Sequence, residues 1–130
     1  MKHYYLDKTN YDNFDYHLKG DKREKEWRKQ RRKYGFDERE TWNLNWRFYA
    51  WLYERLKMFK KVTNINLNYH TFEYDGKTYT QKQMINKMIK RLEYILDSNN
   101  DKQSDFDQKL QKYSKEITEI WALVISAMWW

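Results

Sequence analysis

The side chains able to make or break bonds are few in this sequence, and their spacing does not serve that chemistry. The three histidines, His3, His17 and His70, form no HExxH pair and no metal-ligand spacing. Ser98, Ser104, Ser114 and Ser126 lie outside any nucleophile-elbow context, and a serine nucleophile needs a base within hydrogen-bond reach. There is no cysteine and no glycine-rich phosphate loop. Glu38 and Glu40 have a spacing that acid–base work can use, but carboxylates at a helix entrance are ordinarily solvated and favoured by the helix dipole. His3, Asp7, Asp12, Asp15 and His17 crowd oxygen and nitrogen donors together, yet their separations fit no metal-binding loop. They read instead as an acidic stretch that balances the basic one beside it. The expectation is a protein with no catalytic residue, no metal and no cofactor.

The stronger chemical signal is the segment KREKEWRKQRRKYGF, residues 22–36. Residues 19–34 hold nine basic and three acidic side chains, a net charge of +6. If 22–34 is helical, Arg28, Arg31 and Arg32 cluster on one side with Lys25 and Lys29 nearby, because residues three or four apart share a face. Arginine presents a planar fork suited to phosphate or carboxylate oxygens. Trp27 could stack on a base or fill a protein pocket. The candidate binding residues are therefore Lys25, Trp27, Arg28, Lys29, Arg31, Arg32 and Lys33. No helix-turn-helix, zinc-finger or RRM signature accompanies them, so contact with nucleic acid would be limited to the phosphate backbone. The plainer alternative is a solvated helix anchored by Trp27.

The composition indicates what must position that segment. A chain of 130 residues fits one domain, and its formal charge of +7 favours anionic partners. Proline is absent and glycine occurs only at Gly20, Gly35 and Gly76, whereas Trp, Tyr and Phe number 7, 12 and 6. Few breakers and many bulky rings predict long helices packed around aromatic side chains.

Residues 22–34 are rich in good helix formers, and Gly35 suits a left-handed C-cap. Asp37 can cap a short turn, and Thr41 or Asn43 can open the main helix. In that helix Phe48, Leu52, Leu56 and Phe59 recur at helical spacing, flanked by Trp51 and Arg55. Residues 62–79 change character, and Asp75-Gly76 is the sequence of a tight type I′ turn, so FEYDGKTY predicts a small hairpin. Thr80 with Gln83 forms a capping-box signature. Behind it Met84, Ile85, Met88, Ile89, Leu92, Ile95 and Leu96 make one apolar face. Ser104 with Asp107 predicts a weaker cap, followed by a face of Phe106, Leu110, Tyr113, Ile117, Ile120, Trp121, Val124, Ile125 and Met128.

The expected architecture is all-α: three major amphipathic helices in a bundle, preceded by a short basic helix, with a small β-hairpin insert. Residues 1–130 form a single helical domain in which 1–34 is a partly independent arm and basic helix. Most of Phe48, Trp51, Phe59 and Trp121 are expected in the core, while Trp42 and Trp46 seal the bundle end. The aromatic supply exceeds what one three-helix core can hide. Tyr49, Tyr53, Tyr94, Trp129 and Trp130 are accordingly expected at a homodimer or partner interface, where Tyr and Trp are enriched, the alternative being that they fold back over the other helices.

Three stretches resemble a group of small tailed-phage accessory proteins. In that group a GF opening precedes a Trp and a helix ending in a basic-Leu pair, followed by a second helix built around Lys-Met-Ile. The matching residues are Gly35, Trp42, Trp51, Leu52, Arg55, Leu56 and Phe59, then Lys87, Met88 and Ile89, then Lys112, Tyr113, Trp129 and Trp130. The likeness spans roughly residues 27–130, and the group's proline-bearing loop is replaced here by the Asn-rich segment and the Asp-Gly turn. It implies a phage accessory protein acting on a host component, with no catalytic residue carried over.

Joined to the basic and aromatic surface, that resemblance gives the preferred expectation. It is a non-enzymatic protein binding a host protein or nucleoprotein complex, such as an inhibitor of an RNA-guided defence nuclease. Direct nonspecific binding of the DNA or RNA backbone is one alternative, and a structural homo-oligomer is another. The N-terminus lacks the apolar run of a secretory signal, and IWALVISAMWW is shorter than the roughly 18–20 residues that cross a bilayer, so no membrane is expected and the host cytoplasm is the expected location.

Overall fold

The computed structural model describes residues 22–129, which build four helices and one two-stranded hairpin. The helices are α1 (Glu24–Tyr34), α2 (Leu44–Val62), α3 (Gln81–Leu96) and α4 (Phe106–Val124). The hairpin strands are β1 (Thr71–Tyr74) and β2 (Lys77–Thr80). A 3-10 turn at Glu38–Thr41 joins α1 to α2, and a second at Ile125–Ala127 follows α4. The architecture is the mostly helical bundle with a small β insert that the periodicity predicts. His3, Asp7, Asp12, Asp15, His17 and Trp130 lie outside the described residues.

α3 is the centre of the bundle and packs against both α2 and α4. Met84, Ile85, Met88 and Leu92 have no exposed surface, and Ile89, Ile95 and Leu96 are also buried. Around them close Leu52, Tyr53 and Leu56 of α2 and Ile117, Ile120 and Val124 of α4. Polar ties fix the helices laterally: Arg91 pairs with Glu116, and Lys60 Nζ donates to Asn86 Oδ1 at 2.6 Å.

Local signals set the element ends. The Thr80 hydroxyl accepts from the Gln83 N–H at 3.2 Å, and the Gln83 side chain accepts from the Thr80 N–H at 2.8 Å. This capping box satisfies two backbone donors where the hairpin turns into α3. Asp75 and Gly76 take φ of 51° and 72°, the left-handed pair that a type I′ turn requires. Register follows directly, with Phe72 opposite Tyr79 and Thr71 opposite Thr80. The hairpin is tied to the bundle rather than hanging from it. Phe72, Tyr74 and Tyr79 pack against the core, and the Tyr74 hydroxyl donates to Glu119 Oε2 at 2.8 Å. Burial, with the Glu119 carboxylate beside it, pushes that phenol up to about 12.

Three expectations need correction. The buried face of α2 is turned from the one predicted: Tyr49, Ala50, Leu52, Tyr53 and Leu56 point inward, whereas Phe48 and Trp51 are 40 % and 44 % exposed. Tyrosine hydroxyls made that rotation affordable, since Tyr49 bonds Ser114 of α4 and Tyr53 faces Glu93 of α3. α4 starts after Asp105, which makes no side-chain cap bond, so the Ser104–Asp107 signature does not set its start. Phe106 anchors that end instead, stacked on Trp46 and Tyr94. Ile125 is exposed because the chain leaves α4 for a 3-10 turn at that residue.

Thr80→Ala leaves the Gln83 N–H without its acceptor, which costs about 1 kcal/mol. Because α3 is the central helix, urea denaturation should show the loss as a lower midpoint with an unchanged slope, and Thr80→Ser should restore it.

Candidate binding surface

α1 has one buried residue, Trp27, with 1 % of its surface exposed. Its sequence otherwise lacks an apolar stripe, so the helix needs another means of attachment. That means is a compact polar cluster. The indole Nε1 of Trp27 donates to Glu38 Oε1 at 2.8 Å, and the Glu38 N–H donates to Gln30 Oε1 at 2.8 Å. Trp42 meets the Trp27 ring edge-to-face at 6.3 Å. The guanidinium of Arg39 lies over the same ring at 4.3 Å from its centre, and that of Arg23 lies at 5.1 Å. Trp27 and these neighbours form a centre separate from the main apolar core.

Asp37 fastens the cluster. Its Oδ1 accepts from Arg39 Nε at 2.9 Å and its Oδ2 from Arg39 Nη2 at 2.8 Å, a bidentate fork. Arg31 Nη1 reaches Oδ2 at 2.6 Å from α1, and the Arg39 N–H donates to Oδ1 at 3.0 Å, capping the 3-10 turn. Asp37 is 5 % exposed, so this carboxylate is buried and saturated with donors. The bond from Arg39, joined by that from Arg31, outweighs the cost of burial and holds its carboxyl at about 2. The turn between α1 and the cluster is made by Gly35, whose φ of 83° is left-handed and whose N–H donates to the Arg31 carbonyl at 3.0 Å. Glu24 and Glu26 in the first turn and Arg31, Arg32 and Lys33 in the last complement the helix dipole.

This attachment sorts the residues expected to bind. Trp27 is withdrawn from any partner: its ring is covered and its N–H is used, so the anchoring alternative describes it. Arg31 also leaves the outward cluster, because it turns toward Asp37 and Glu24. Lys25, Arg28, Lys29, Arg32 and Lys33 remain exposed on the side away from Trp27. Arg28 makes a solvent-exposed pair with Glu24 at 3.6 Å, and Lys33 Nζ lies over the Tyr34 ring. Among the described residues Lys25, Lys29 and Arg32 have no acidic partner. The outcome is a face of four or five cations on a helix whose opposite side is fixed.

The aromatic interface expectation is corrected in the same way. Tyr49 and Tyr53 are 9 % and 2 % exposed and belong to the core. Tyr94 is half-buried between Phe106 and Tyr113. Trp129 is the one member found on the surface among the described residues, at 65 % exposed. It lines an open cleft with Ile65, Asn66, Tyr69, His70 and Ala127. That lining contains no carboxylate and no serine, so it brings together no nucleophile–base pair. Among the described residues no group of three or more histidines and carboxylates is placed to hold a metal ion. Likewise, none of the described helices is long and apolar enough to cross a membrane. Glu38, weighed above as an acid or base, is occupied by the Trp27 indole.

The attachment cluster is not legible in the sequence as a unit, although Asp37 reads there as a cap. Its signal is the set Trp27, Arg31, Asp37 and Arg39, whose members meet only once Gly35 has reversed the chain. Comparison with family models, with curated proteins and with solved structures returned no match.

Because the Asp37 pKa is depressed, its contribution to stability is complete above pH ~4 and is lost as pH falls toward 2. With the Arg31 partner partly exposed, that contribution is roughly 1–2 kcal/mol. Asp37→Asn should reduce the stability of the wild-type protein at pH 7 by that order and flatten the acid limb of its stability profile, followed by chemical denaturation between pH 2 and 7.

Proposed function

We propose that this protein is a non-catalytic binding protein that presents the outward face of α1 to an anionic surface of a host macromolecule. The observation that carries this reading is the division of labour along α1. Trp27 and Arg31 hold the helix to the body, and Lys25, Arg28, Lys29 and Arg32 stand on the opposite side in solvent. A helix held on one side loses little further freedom when its other side binds, so its cations meet a partner in a pre-set pattern. The partner we favour is an acidic protein or a nucleoprotein complex, with an RNA-guided defence nuclease as one example. The likeness of the Gly35 and Lys-Met-Ile segments to phage accessory proteins supports a host target.

Direct binding of DNA or RNA is the second reading, and the burial of Trp27 limits what it would involve. With the indole withdrawn, the helix offers phosphate contacts and no base-stacking ring. Such binding would be insensitive to sequence and steeply dependent on salt, with a slope of about −0.9 per phosphate neutralised on duplex DNA.

The test is retention of host components by immobilised protein, with and without nuclease, at low and moderate salt. Wild type is compared with a K25A/R28A/K29A/R32A variant that keeps Arg31 and therefore the attachment. A discrete protein that survives nuclease and is lost in the variant is the expected result. Retention of nucleic acid alone, abolished by salt and by the variant, would replace this reading with the second.

A further inference from the structure

α2 carries a second apolar line that the core does not use. Leu44, Phe48, Trp51, Met58 and Val62 are 61 %, 40 %, 44 %, 58 % and 41 % exposed. Together with Arg55 they recur at intervals of four and three along all of the 19-residue helix. At 3.6 residues per turn the six positions fall within an arc of about 80°. Intervals of four and three are the a/d spacing of a left-handed coiled-coil seam, and a strip this narrow is the width such a seam has. An interfacial membrane helix needs a broader apolar face.

We propose that this stripe is a docking seam for an acidic amphipathic helix of another protein. Charge decides the occupant. Arg55 sits within the stripe, its guanidinium 4.7 Å from the centre of the Trp51 ring and one nitrogen donating to the Trp51 carbonyl at 3.3 Å. Placed over the indole with one nitrogen so engaged, it keeps donors for a carboxylate arriving opposite. Arg47, Glu54 and Lys61 follow one edge of the seam, so the stripe and that edge together carry a net positive charge. A second copy fits this pattern poorly. Parallel pairing in register sets Arg55 against its own counterpart. Antiparallel pairing about Tyr53 places Trp51 opposite Arg55, but it brings Glu54 onto Glu54 and Arg47 beside Lys61. A foreign helix with leucine-like residues in its seam and glutamates at its edges meets neither conflict.

The seam lies on α2 and the cationic face on α1, so the two surfaces can be tested apart. The probe is a fluorescein-labelled peptide of three heptads with Leu at a and d and Glu at e and g, whose glutamates keep it from pairing with itself. The control peptide has Lys in place of every Glu. Fluorescence anisotropy should show saturable binding of the acidic peptide. Phe48→Ser with Met58→Ser, both at exposed positions and checked for folding by circular dichroism, should weaken it by about tenfold or more. Lys25→Glu with Arg32→Glu on α1 should change it by no more than about twofold. Arg55→Glu should shift preference toward the Lys peptide. The proposal is overturned if no saturable binding appears, or if the α1 variant abolishes it while the stripe variant does not. It is equally overturned if sedimentation reveals a wild-type dimer that the stripe variant dissociates, or if the stripe binds phosphatidylcholine–phosphatidylserine vesicles and not the peptide.

Discussion

A buried carboxylate gripped by two guanidinium groups is the constraint on which the proposed binding surface depends. Asp37 lies in the turn between α1 and α2, and its two oxygens together accept Arg39 Nε, Arg39 Nη2 and Arg31 Nη1. Burying a charge is costly unless it is paired and its lone pairs are filled, and both conditions are met here. The same Arg39 covers the Trp27 ring, so one side chain joins the electrostatic and the aromatic parts of the cluster. A helix as polar as α1 could not be held by hydrophobic burial alone. One tryptophan and one ion-pair fork replace the apolar stripe that it lacks.

From this constraint follows the arrangement of charge. Because Arg31 is drawn inward, the remaining cations on the far side of the helix stand apart from the acidic groups of the body. The bundle beneath is fixed separately: one whole face of α3 is buried, the helix is flanked by α2 and α4, and its start is set by a capping box. A packed three-helix body thus carries a basic helix by a polar joint, and an exposed apolar stripe runs along one of its own helices. The two surfaces differ in chemistry, one cationic and one mainly apolar, and lie on different elements.

The parts of this architecture legible from sequence are those whose physics is local. Gly35, Asp75-Gly76 and the Thr80–Gln83 box act across at most a few residues, and each sits where its residue types place it. The apolar face of α3 was equally plain, because it is apolar without ambiguity. α2 was harder, since it has apolar or aromatic residues on two sides. Phe48 looked like core and Tyr49 like surface, and the structure reverses them because the Tyr49 hydroxyl finds Ser114, 65 residues away, and Tyr53 finds Glu93, 40 residues away. No periodicity reports a hydrogen bond over that distance. Trp27 and Arg31 likewise stand out in the sequence, but their side of the helix depends on where Gly35 and Asp37 turn the chain.

The central claim is that α1 is a docked, pre-set surface rather than a helix that forms on meeting a partner. Amide hydrogen exchange of the full chain, followed at the N–H groups of residues 28–34, tests it most directly. Slow exchange in the wild type, speeding up in Asp37→Asn while α3 stays protected, is the result this account predicts. Exchange at the unprotected rate in the wild type would contradict it and make α1 a segment ordered only by its partner.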